Sequence, residues 1–314
     1  MKLSQQETYN LAIAWNWEFD ADFIAGIEHE CRVRNISTYR IDTDHLPHVF
    51  DLLKQGTISF DAFYDRASDA SPDFLPLVKI MEERATCLIN PYRRVIHAID
   101  KATMHLEFIT SGLNVPNTII LPPFNEHPTL ALKKEELQRL GAPFVIKPAN
   151  TTGGGTGVIL NATTLDDVLH SRQEHKNDKY LLQEIIHPKQ IDGKRGWFRV
   201  YYAFGEIILC WWDDKTHRYT EITNEEETLN DLRSLRSAVS VIHDICDLDF
   251  FSSEIAITEH GKVVIVDYVN EVCDMRLQSK YYDGAPDRVV KQIEKLLAAH
   301  IQDHLFSTNN IEKI

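Results

Sequence analysis

The sequence predicts an α/β chain with α+β elements, opening on a small domain built around a parallel sheet. Three observations carry this. Short apolar runs alternate with segments of helical apolar spacing over the first 90 residues, the pattern of strands joined by crossover helices. Two hairpin signals stand in the second half, at Phe204-Gly205-Glu206 and Glu259-His260-Gly261, each between apolar runs. The 314 residues, 43% apolar and 25% charged, suffice for two or three subdomains with sizeable cores.

The elements follow in order. Residues 9–17 read as a strand. Residues 21–34 place Phe23, Ile24, Ile27 and Cys31 at helical spacing. Strands are expected at 36–41, 59–64 and 87–89, with a loop at 65–71 and a helix over 72–84 before the last. Asn90-Pro91 signals a turn and a domain boundary. A helix over 98–111, a strand at 116–121, a helix over 133–140 and a strand at 144–148 come next. Strands at 158–160 and 180–186 flank a helix that Thr164 can cap. The remainder reads as paired strands over 198–212, a helix over 229–245, a hairpin of 251–258 with 262–269, and a helix over 287–300. The expected domains are 1–90, 91–186 and 187–314.

The formal net charge of −14 repels nucleic-acid backbones and anionic membrane surfaces, so neither is expected as a partner. Five scattered cysteines with no CxxC pair suggest neither a disulfide framework nor a thiolate zinc site. With no apolar signal core at the N-terminus and no run of about 18 apolar residues, the expected location is the cytoplasm.

The chemistry concentrates in a few segments. Phe144-Val145-Ile146-Lys147-Pro148 puts one lysine at the end of an apolar strand. Thr151-Thr152-Gly153-Gly154-Gly155-Thr156-Gly157 follows, a loop whose backbone N–H groups can approach an anion. Its lysine precedes the glycines, so it is not the GxxxxGK[ST] loop. Lys101 supplies a second cation on a helix. Near the C-terminus, Glu254 on one strand and Asp267 and Asn270 on the next offer hard oxygen donors suited to Mg²⁺.

The order is lysine on a helix, lysine on a strand, glycine loop, Gln183-Glu184-Ile185-Ile186, strand arginine Arg199, then acid, acid and asparagine. It resembles the ATP-grasp superfamily over roughly residues 90–300. Within that superfamily the chain is most similar to the carboxylate–amine ligases of the D-alanine–D-alanine ligase, glutathione synthetase and ribosomal-protein glutamate ligase groups. The resemblance implies an ATP-grasp fold, ATP and Mg²⁺ (or Mn²⁺) as cofactors, and roles for individual residues. Lys101 and Lys147 would contact phosphates, and Gly153, Gly154, Gly155, Thr156 and Gly157 would close over them. Gln183, Glu184, Ile185 and Ile186 would form the hinge that reads adenine, with Asp192 as the ribose acid. Arg199 would act in the active site and Arg276 would meet a substrate carboxylate. Glu254, Asp267 and Asn270 would hold the metal.

This sequence departs from the family pattern at the metal strand, where acid-x-Asn is usual. Here two residues separate Asp267 from Asn270, so a bulge is required to aim both at one ion, and Glu271 stands ready as a substitute. The implied activity is ATP-dependent ligation of a carboxylate to an amine or thiol through an acylphosphate, on small amino-acid or peptide-like substrates. A small-molecule kinase and a non-catalytic nucleotide-binding protein are the alternatives, and a homodimer is compatible with either. Arg66, at the end of an N-terminal strand, is a further candidate for substrate contact, because parallel sheets place ligands there.

Overall fold

The computed structural model describes residues 6–84, 87–151 and 155–311. Strands β1 (Glu7–Trp15), β2 (Thr38–Ile41), β3 (Ile58–Arg66) and β4 (Cys87–Ile89) form an all-parallel sheet in the order β2-β1-β3-β4. Helices α1 (Ala21–Val33), α2 (Leu46–Gln55) and α3 (Leu75–Glu83) cover it. The two-residue period of β1 divides its side chains. Leu11 and Ile13 face Phe23, Ile24 and Ile27 of α1, whereas Ala12 and Ala14 face α2 and α3 through Val49, Leu53, Leu77 and Met81. Helix α2 is absent from the sequence reading, although Pro47 at its first turn and the left-handed Gly56 (φ 68°) at its end are its signals.

The expected helix over 98–111 is two helices, α4 (Tyr92–Ile99) and α5 (Lys101–Thr110). Asp100 is extended (ψ 93°) and its carboxylate accepts from the N–H groups of Ala102 and Thr103, so the break is an N-cap. Strands β5 (Thr118–Leu121), β6 (Phe144–Pro148), β7 (Ile159–Ala162) and β8 (Tyr180–Glu184) form an antiparallel sheet ordered β5-β8-β6-β7. Helices α6 (Lys134–Gln138) and α7 (Leu165–Ser171) belong to the same region, the latter capped by Thr164 as expected.

After the small hairpin β9 (Gln190–Ile191) and β10 (Lys194–Arg195) comes a five-stranded antiparallel sheet. It comprises β11 (Trp197–Ala203), β12 (Glu206–Asp213), β13 (Arg218–Glu221), β14 (Phe250–Ile257) and β15 (Val263–Asn270), ordered β13-β12-β11-β14-β15. Helices α8 (Asn224–Leu229) and α9 (Arg233–Cys246) replace the single helix expected over 229–245. The capping box that Thr223 makes with Glu226 starts α8 before the expected boundary. Helix α10 (Asp287–Ile311) closes the chain and outruns the expected end at 300.

One face of the five-stranded sheet packs Phe198, Val200 and Ile255 on Phe108 of α5 and on Leu235, Val239 and Ile242 of α9. The other face turns Tyr201, Ala203 and Ala256 toward Val290, Ile293 and Leu297 of α10. That same core contains Ile24 and Ile27 of α1, so α10 lies between the parallel sheet's layer and the antiparallel one. No helix among the described residues is long and apolar enough to cross a membrane.

Candidate active site

Lys147 is near the end of β6 and Lys101 is the first residue of α5. The Lys101 backbone N–H donates to the Ala149 carbonyl at 3.3 Å, which fixes the start of the helix against the end of the strand. Both side chains are buried, at 8% and 7% exposure for Lys101 and Lys147. The Lys147 ammonium donates to the Val266 carbonyl at 3.2 Å and lies 3.9 Å from Asp267 Oδ1 and 5.2 Å from the centre of the Tyr268 ring. Burial pulls its pKa down to about 8, with Lys101 pulling the same way against the attraction of Asp267 and Glu254. A lysine held this way has donors to spare for an anion.

The acids face these lysines from β14 and β15. Glu254 is paired in register with Asp267 and Ser252 with Asn270. Two steps along β14 therefore match three along β15, and the register shifts there, as the Asp267-x-x-Asn270 spacing requires. The Asn270 amide consequently reaches Asp267 Oδ2 at 3.2 Å. Burial opposes ionisation of Asp267, but Lys101, Lys147, Arg199 and the Asn270 amide outweigh it and hold its carboxyl down at about 2.

Arg199 on β11 donates to Glu254 Oε1 at 2.5 Å and lies 5.0 Å over the Trp212 ring, and Trp197 Nε1 donates to Glu254 Oε2 at 3.2 Å. Arg199 Nε is buried with no partner among the described residues. Among the described residues no three His, Cys, Asp or Glu side chains converge on a metal point. Two carboxylates and an amide oxygen nevertheless make a hard donor set, of the kind that leaves Mg²⁺ positions for phosphate oxygens and water.

The glycine loop is anchored at both ends. Asp178 accepts from the backbone N–H groups of Asn150 (2.9 Å) and Thr151 (3.1 Å) and from both of their side chains (2.8 Å each). Gly157 has φ 72°, and a Cβ there would meet Pro148 at 2.9 Å, so this position admits only glycine without a shift. Gly155 and Thr156 complete the described part, and Gly153 and Gly154 lie outside the described residues.

The hinge residues divide their work. Gln183 is buried and donates to the Tyr268 hydroxyl at 2.8 Å and to Thr118 Oγ1 at 3.0 Å. The Glu184 carboxylate accepts from the backbone and side-chain N–H groups of Asn117 at 2.8 and 2.9 Å, and Ile185 and Ile186 leave the strand half-buried. His105, which sequence reasoning missed, lies one turn beyond Lys101 with Nδ1 2.6 Å from the Tyr268 hydroxyl. Burial, and then the Lys147 charge, push its pKa down to about 4. The ring is therefore neutral at pH 7, and since Gln183 donates to the Tyr268 oxygen, the Tyr268 O–H donates to His105. The i to i+4 step from Lys101 to His105 was the available signal.

Three expected residues stand differently. Arg276 is engaged by Asp274 (2.7 and 3.0 Å) and Asp283 (2.9 Å), with its guanidinium over the Trp17 and Tyr281 rings, so a substrate carboxylate would compete with the chain's own acids. Asp192 is exposed in the turn between β9 and β10, at φ 48°, and accepts from Asn230 at 3.1 Å. Arg66 is not a substrate contact. It is 2% exposed and forms a fork with Asp20 at 2.8 and 2.7 Å, with further bonds to the Tyr64 hydroxyl and the Cys273 carbonyl. An unseen partner 46 residues away saturates it.

No family sequence model and no curated protein sequence matches the chain. Solved structures do. D-cycloserine synthetase superposes with a TM-score of 0.61 at 15% identity, over 94% of this chain and 100% of that one. The D-alanine–D-alanine ligase of Bacillus anthracis, solved with ATP, gives 0.64 at 12% identity over 94% and 98%. The ATP-grasp ligase PsnB, solved with a minimal precursor, Mg and ADP, gives 0.57 at 14% identity over 94% and 97%. At such identities the likeness establishes the architecture, and with the order of sheets and lysines it makes this chain a protein of the ATP-grasp fold.

Proposed function

We propose that the chain is an ATP-dependent ligase that activates a carboxylate as its acylphosphate and passes it to an amine. The observation that carries the reading is Lys147: buried beside Lys101, 3.9 Å from Asp267, and with, among the described residues, one hydrogen bond from an ammonium that can make three. Phosphoryl transfer asks a protein for position and charge neutralisation rather than covalent help. Lys101 and Lys147 supply fixed positive charge in a site sheltered from water, where such charge acts most strongly. Arg199, braced by Glu254, would place guanidinium charge near an incoming carboxylate. The segment from Gly155 to Gly157 contributes backbone donors on a stem fixed by Asp178 and Gly157.

Mg²⁺, or Mn²⁺, would be held by Glu254, Asp267 and Asn270, with Glu271 next in sequence, and would neutralise charge on the phosphates. Gln183 would position the hinge through Tyr268, leaving Glu184, Ile185 and Ile186 to meet the adenine, while the divisions 1–90, 91–186 and 187–314 would supply the acceptor wall and the two jaws. The neighbours solved with ATP and with Mg and ADP support this reading.

Product analysis tests it. With ATP, Mg²⁺ and a panel of amino acids and dipeptides, the expected products are ADP, free phosphate and a new amide. Phosphate retained on an acceptor hydroxyl would replace the ligase reading by a kinase, and ATP binding without turnover would sink both.

A further inference from the structure

A cavity of about 200 Å³ lies between the parallel sheet and the segment after β15. Asp65 and Ile89 line it from the C-terminal ends of β3 and β4, where parallel sheets place ligands, with Phe63 and Leu88 beneath them. Val95, Ile96 and Ile99 of α4 form another wall, and Glu271 and Val272 close the side toward the metal strand. Glu271 is within electrostatic reach of Lys101 and Asp267, so the cavity adjoins the proposed phosphate centre.

Its charged lining has one sign: Asp65, Asp69 and Glu271, without a lysine, arginine or histidine. Asp65 is committed to a turn, accepting from the N–H groups of Ala67 and Ser68 at 3.0 and 3.1 Å and from the Ser68 hydroxyl. Glu271 and Asp69 differ. Among the described residues neither carboxylate forms a close ion pair or accepts from another side chain; Glu271 is half-buried and Asp69 exposed, and Lys101 and Arg66 act on them from beyond ion-pair distance. Carboxylates against apolar walls with no cation in direct contact leave a place for a bound one. A metal ion fits poorly, because the remaining walls are mostly apolar and offer few oxygen donors to complete its shell. An ammonium on a hydrocarbon satisfies both the acids and the walls. A cavity of about 150 Å³ holds a benzene ring, so there is room for a group of that size.

We propose that this cavity seats the amine co-substrate, a primary ammonium bearing an apolar group, while the carboxylate to be activated enters on the Arg199 side. This rests on the ligase reading. The test uses benzylamine, benzyl alcohol and benzoate, one ring with charge +1, 0 and −1. Their binding to the full chain is measured by calorimetry with Mg²⁺ and a non-hydrolysable ATP analogue.

Benzylamine should bind at least tenfold tighter than benzyl alcohol, and benzoate not measurably. Asp69→Asn, and Ile96→Trp at a 48% exposed position that tolerates bulk, should each weaken benzylamine tenfold or more. Circular dichroism reports the fold of each variant. The proposal is overturned if benzoate matches benzylamine, if no benzylamine binds, or if both folded variants bind it as the parent does. The ligase reading is read separately, by trapping activated carboxylates with hydroxylamine: absence of hydroxamate defeats that reading, while the amine's binding is still measured.

Discussion

Two buried charge pairs in this molecule are built to opposite ends. Arg66 and Asp20 are 2% and 1% exposed, meet in a fork at 2.7 and 2.8 Å, and direct the remaining arginine donors to Tyr64 and Cys273. Lys147 and Asp267 are less enclosed, their side chains 9% and 28% exposed, and stand 3.9 Å apart with, among the described residues, a single lysine hydrogen bond. The first pair is saturated and serves the fold. The second keeps unspent donors and acceptors facing one another, which costs stability and suits the proposed phosphate and metal site. Exposure of the acid and the count of satisfied hydrogen bonds separate the two.

The sharpest way to break the comparison is Lys147→Met. ADP formation should fall by roughly 10³-fold, about 4 kcal/mol of barrier, with the denaturant midpoint unchanged or raised; full turnover would remove Lys147 from the chemistry. Asp20→Asn should do the reverse, costing about 3–5 kcal/mol in urea unfolding because it strands a buried guanidinium. An unchanged midpoint would show that Arg66 is not the strut described. Smaller is Tyr268→Phe, which leaves His105 Nδ1 and Gln183 Nε2 without their shared hydroxyl. It should cost about 1–3 kcal/mol, seen as a lower melting temperature, and an unaltered melt would contradict the network.

The smallest effect comes from a third buried charge. Burial, with Glu30 and Asp22 adding to it against Lys291 and Lys295, lifts Glu294 on α10 from 4.5 to about 7. Between those values the folded chain keeps a proton that the unfolded chain has lost. Stability therefore falls as pH rises from about 4.5 to about 7 and stays lowered above. Glu294→Gln should flatten that slope and add roughly 1–2 kcal/mol at pH 8. A slope that persists in the variant would assign it to other groups.

What could be read in the sequence was local or ordered. The apolar run ending in Lys147, the glycines after it and the strand ending at Asp267 announce themselves by pattern, and the bulge at Asp267-x-x-Asn270 follows from the two-residue strand period. The helix break at Asp100 was legible too, as an aspartate N-cap before Lys101, but the apolar spacing across it reads as continuous. Partnerships across long separations were not legible. Nothing near Arg66 names Asp20, nothing near Gln183 names Tyr268, and Asp178 gives no sign that it grips Asn150 and Thr151. The role of Arg66 was misjudged for that reason.

Consider lastly what Arg66 and Asn90 grip. Arg66 donates to the carbonyl of Cys273 at 2.9 Å, while Asn90 donates to the carbonyls of Phe250 (2.5 Å) and Glu271 (3.3 Å). The first 90 residues thus support, by main-chain contacts, the stretch that carries the acids. Such an arrangement restricts modularity. A chimaera that exchanges the N-terminal unit must import counterparts of Asp20, Arg66 and Asn90, and of the α1 face packed on α10, along with the new sheet.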